Sequence, residues 1–159
     1  MAFSELLPVW QMARSRYQNT LDGLRPEELS WRLAPKSNSI GFLLRHNAEV
    51  EYNFALMFFN RDLPEEVTLE TIGPVKDDGR YTDLPQLQQF MEQANAHLVE
   101  AMRSLPVEQW DVAREARIGT LTPREALGRL IYHMGHHAGQ IALIRKYAAG
   151  SAAEFGQPK

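Results

Sequence analysis

Apolar residues recur every three or four positions along four long segments, and that period belongs to helices rather than strands. In the first segment Phe3, Leu6, Leu7, Trp10, Ala13, Tyr17 and Leu21 share one face, and Gly23 and Pro26 end it. "PEELSW" reads as a short helical turn, and "APKSNS" supplies loop and N-cap residues for a second helix over about 39–60. Phe42, Leu43, Val50, Phe54 and Met57 mark its buried stripe. A third helix starts near Thr82 or Asp83, with Leu84, Leu87, Phe90, Met91, Ala94, Leu98, Ala101 and Met102 on its apolar face. The fourth has the sharpest start: Thr122 at the N-cap, Pro123 at the first helical position and Glu125 at the third form a capping box. It should run to about Ala149 and stop at Gly150.

Four helices with one apolar face each predict an all-α four-helix bundle. Residues 1–150 form its single domain, and 151–159 read as a loose tail. No alternating pattern marks a strand. Residues 61–81 carry two prolines and two glycines without a steady period, so they form a loop. That loop is long enough to cross the bundle, which leaves up-down-down-up and up-down-up-down orders both open. "LPVEQWDV" resembles "LRPEELSW", each after a long helix, a hint of two similar helix pairs.

The formal charge of −3 offers no basic field for nucleic acid or anionic lipid. No apolar run approaches the roughly 20 residues of a membrane span. Charges within the amphipathic N-terminal pattern argue against a signal peptide, so the expected location is cytoplasmic. Cysteine is absent, which removes disulfides, thiolate ligands and a cysteine nucleophile. A metal would need nitrogen or oxygen ligands.

Nitrogen ligands are concentrated in "YHMGHHAGQ", which holds His133, His136 and His137. On a helix His137 falls inside the buried arc, His133 at its edge about 40° away, and His136 outside. His133 and His137 are four apart, a spacing at which two imidazoles can share one metal. On the second helix His46 stands in the middle of an apolar stripe, and a buried imidazole needs a partner. The three rings offer one another no simple hydrogen-bonded arrangement, whereas a shared metal would satisfy all of them. The plainer reading is a buried polar network. His97 sits at the boundary of the third helix's face. There is no H-E-x-x-H and no E-x-x-H, so zincin proteases and ferritin-like di-iron bundles are excluded.

With "SNSIGFLLRHNAEVE" and "YHMGHHAGQIALIRKY" both in view, the chain resembles the DinB/YfiT-like superfamily. The matching features are Ser37–Ile40, His46, and His133-x-x-x-His137-x-Gly139-Gln140, and the likeness runs from about residue 3 to 149. The resemblance implies up-down-down-up order, a homodimer, and one divalent metal, zinc or nickel, held by His46, His133 and His137. It also implies reactions such as thiol-dependent transfer or isomerisation, or metal-dependent hydrolysis. Three neutral imidazoles leave a metal with an open position, and a thiol bound there becomes thiolate. Without cysteine in the chain, that thiol would be a co-substrate of the bacillithiol, mycothiol or glutathione type, joined to a small electrophile. Glu49, His136 and Gln140 are the candidates for catalytic or orienting roles. Hydrolysis at the same ligands, or metal binding without catalysis in a stress-response protein, are the alternatives. Metal affinity is expected to fall below about pH 6, where free imidazoles take up protons.

Overall fold

The structure, a computed structural model, describes residues 2–154, with side chains from Ala2 to Ala148. Four long helices carry it: α1 (Ala2–Thr20), α2 (Ile40–Phe58), α3 (Leu84–Ser104) and α4 (Pro123–Glu154). Their starts use the anticipated chemistry. The Ser39 hydroxyl accepts from the Phe42 N–H, and the Asp83 carboxylate accepts from Gln86 N–H. At α4 the Glu125 N–H donates to Thr122 Oγ1 at 3.2 Å while the Thr122 N–H donates to the Glu125 carboxylate at 2.8 Å. Helix α2 ends on Asn60 in the left-handed region, φ 55°. The Arg61 N–H then reaches back to the Ala55 carbonyl.

Contacts between helices fix their directions. Arg45 and Tyr52 of α2 pack on Phe90 of α3, and Tyr52 also meets His97, so α2 and α3 run parallel. Arg14 pairs with Glu51 and Tyr17 with Asn47, which sets α1 antiparallel to α2. Arg124 at the start of α4 faces Glu5 near the start of α1, and Arg145 further on donates to the carbonyls of Thr20 and Asp22, so α4 runs alongside α1 in the same sense. The order is up-down-down-up, with α2 packed between α3 and α4 and α1 against α4. Trp10, Leu44, Phe58, Leu98, Met102 and Leu130 fill the centre. One polar cluster crosses it: buried Arg14 pairs with Glu51 at 2.5 Å and also donates to the Met91 carbonyl at 2.9 Å.

Two features depart from the sequence expectation. A small antiparallel hairpin, β1 (Arg114–Ala116) and β2 (Gly119–Leu121), precedes α4. Its strands have three residues each, too few to show alternation, yet Ala116, Ile118 and Leu121 pack on the core. Helix α4 also passes through Gly150 and continues to Glu154. Glycine within a helix costs only about 1 kcal/mol, and the alanines on either side favour continuation. Of the expected tail, 151–154 is therefore helical, and 155–159 lies outside the described residues.

The segment between α2 and α3 returns along the whole bundle without a regular element of its own. Discrete bonds pin it instead. Arg45 donates to the Thr68 carbonyl at 3.0 Å, and Asp77 accepts from the Ser39 N–H at 2.7 Å. Its end rests on Gly41, where a Cβ would lie 1.9 Å from the Tyr81 carbonyl oxygen. Only glycine permits that approach. Two 3₁₀ turns, Pro26–Ser30 and Val107–Gln109, follow α1 and α3, which bears out the two similar segments.

Candidate metal centre

The antiparallel contact of α2 with α4 brings His46 opposite the one-turn pair His133 and His137. The Nε2 atoms of His46 and His137 each lie 3.1 Å from Nε2 of His133. Among the described residues these are the three that bring possible ligand atoms within 4.8 Å of one another. Nitrogens held tetrahedrally at about 2.0–2.1 Å from zinc stand about 3.3 Å apart, close to the two 3.1 Å separations from His133. His136 points to solvent, as the helix wheel requires, and stacks on exposed Tyr132. His97 is half-buried on α3 against Tyr52 and takes no part in the cluster.

Two of the three rings have their outer nitrogens engaged. His46 Nδ1 donates to the Thr71 carbonyl at 3.1 Å, and His137 Nδ1 donates to Gln140 Oε1 at 2.6 Å. Both rings therefore turn an Nε2 lone pair inward, towards Nε2 of His133. A single proton on His133 can serve only one of those lone pairs. A divalent cation serves all three, so the donor set fits a metal better than it fits a closed hydrogen-bond network. His133 Nδ1 is buried without a protein partner.

Burial opposes charging these rings. His133 is held down at about 3 by burial and by the neighbouring His137 and His46. Burial lowers His137 to about 4 against the pull of its bond to Gln140. His46 is lowered by burial too, against the Thr71 bond and the Glu49 charge. Neutral imidazoles at pH 7 are the form a metal requires.

Around the cluster the structure places Gln140 on His137, as above, but gives Glu49 no hydrogen bond to an imidazole among the described residues. Glu49 is fully buried; it accepts from Arg45 Nε at 2.6 Å and from the Thr71 N–H and hydroxyl at 2.6 and 2.7 Å. Phe42 stacks on His46 with ring centres 6.2 Å apart, and its edge meets Tyr81. Thr71 and Arg45 escaped the sequence reading. Thr71 sits in a segment with no period to place it, whereas Arg45 carried a signal in its four-residue spacing from Glu49.

The DinB superfamily model matches residues 10–141. The chain belongs to the DinB superfamily. A DinB-like protein from Bacillus cereus superposes with a TM-score of 0.67 at 22% identity, over 91% of each chain. A conserved protein from Enterococcus faecalis gives 0.64 at 17% identity, covering 89% of this chain and 93% of that one. A mycothiol-dependent maleylpyruvate isomerase gives 0.66 at 18% identity over 89% of this chain, which spans only 61% of the isomerase. At these identities the likeness is one of fold. No curated protein matches the sequence. Among the described residues of this superfamily member, no helix is long and apolar enough to cross a membrane.

Proposed function

We propose that this DinB-superfamily protein holds one divalent metal, zinc or nickel, on His46, His133 and His137. In this reading it joins a low-molecular-weight thiol to a small electrophile. The observation that carries this is the convergence of three Nε2 atoms, two of them turned inward by bonds at Nδ1. A metal held by three neutral imidazoles supplies an open position at which a thiol is acidified to thiolate. The chain contributes no thiol of its own, since it has no cysteine, so the sulfur arrives as a co-substrate of the bacillithiol, mycothiol or glutathione type. That one structural neighbour is a mycothiol-dependent isomerase supports the thiol.

The residues divide the remaining work. Thr71 and Gln140 fix the rings of His46 and His137. Glu49, sealed and fully bonded, is given no proton-transfer role in this reading. In this reading His136, at the surface with its ring 5.1 Å from that of His137, passes the thiol proton to solvent. The reaction forms a carbon–sulfur bond, and the electron pair of the broken bond departs with the leaving group of the electrophile. The functional unit in this reading is a homodimer acting in the cytoplasm.

The test is to load the protein with zinc or nickel and incubate it with a panel of such thiols and a chromogenic electrophile. Conjugation that needs both metal and thiol, and that disappears in His133→Ala, is the expected result. Turnover without thiol would replace this reading with metal-assisted hydrolysis. Metal uptake without turnover of any substrate would make the protein a metal-binding protein instead.

A further inference from the structure

We propose that Glu49 is a positioning residue for His46, acting at one remove through Thr71; this rests on the metal-site reading above. Glu49 hydrogen-bonds to no imidazole among the described residues, yet it is 0% exposed and both its oxygens are engaged. Taking a carboxylate out of water is unfavourable unless its bonds are complete, and here they are. One oxygen accepts from Arg45 Nε. The other accepts twice from Thr71, through its N–H and its hydroxyl. The carbonyl of that same residue accepts the Nδ1–H of His46 at 3.1 Å. Carboxylate, threonine and imidazole thus form one hydrogen-bonded line running from buried Glu49 and Thr71 to half-buried His46, with Arg45 at its other end.

The need for such an anchor follows from where Thr71 sits. His137 receives its partner from its own helix, three residues on, and the helix itself keeps Gln140 in place. The partner of His46 comes from a segment with no helix or strand to hold it, 25 residues away in sequence. Two bonds to a buried charge replace the missing ladder. They fix the direction of the Thr71 carbonyl, and with it the tautomer and tilt of His46. The negative charge behind the threonine also favours electron density at the inward Nε2, as carboxylate-backed histidines do at metal sites.

The experiment compares wild type with Glu49→Gln, Thr71→Val and Thr71→Ser. Zinc affinity is read by competition with a chelating dye, and imidazole tautomers by ¹⁵N NMR on metal-free protein. Glu49→Gln and Thr71→Val should weaken zinc by about 10- to 100-fold. In both, the His46 signal should lose its single Nδ1–H form while His137 keeps its own. Thr71→Ser, which retains the hydroxyl, should behave as wild type. His46 spectra and zinc affinities unchanged in both disruptive variants would overturn the proposal. If Glu49→Gln does not fold, Thr71→Val and Arg45→Gln carry the comparison. A wild type that takes up no zinc would overturn the metal reading instead, and the metal-free spectra would still decide the role of Glu49.

Discussion

His133 has the least help of the three imidazoles, since its Nδ1 is buried without a protein partner while both neighbours aim at its Nε2. Replacing it, His46 or His137 by alanine should strip most of the zinc. Replacing His136 should leave the stoichiometry at one; elemental analysis of the purified variants checks this. The depressed values also revise the pH at which metal is lost. The free-imidazole value of about 6.5 pointed to loss below about pH 6. With burial holding His133 at about 3 and His137 at about 4, protons compete later, and zinc should stay bound at pH 5.5. The same depression has a cost for the metal-free fold. The unfolded chain takes protons at these rings first, so their contribution is full above about pH 6.5 and is lost as the pH falls towards the folded values. Urea midpoints of metal-free wild type should therefore drop more steeply between pH 7 and pH 4.5 than those of His133→Gln. Equal slopes would contradict the assignment.

At the scale of elements, the crossing segment is held by contact rather than by its own hydrogen-bond ladder. Gly41→Ala would drive a methyl into the Tyr81 carbonyl oxygen, and backbone cannot move aside as a side chain does. A loss of about 1–3 kcal/mol is expected, seen as a lower thermal midpoint. Thr122→Ala, which opens the capping box of α4, should cost about 1 kcal/mol by the same measurement. These elements also show what a sequence can and cannot reveal. Ser39, Asp83 and Thr122 announce their helices because capping is local chemistry. His46, His133 and His137 were legible because a helix converts spacing into direction. Thr71 was not, because its place depends on a buried carboxylate far away in sequence. Nor was the hairpin, whose strands are shorter than one readable alternation. Gly150 misled as a stop because a lone glycine weakens a helix without ending it.

For the molecule as a whole, the metal would act as a clasp between α2 and α4, near the start of α2. Zinc should then raise the thermal midpoint of the whole cooperative unit, and the increment should grow with free zinc. An unchanged midpoint at saturating zinc would mean that the metal binds folded and unfolded chains alike. Exposed Tyr132, Leu143 and Tyr147 follow one outward stripe of α4, a surface consistent with pairing of two copies. Light scattering should give about twice the 18.2 kDa monomer mass; a monomer across micromolar concentrations would contradict it. The most direct test of the metal centre is anomalous diffraction at the zinc edge from crystals of the zinc-loaded protein. A single strong peak is expected among the Nε2 atoms of His46, His133 and His137. A map with no peak there, or with its peak on His136 or elsewhere, would contradict the three-histidine centre.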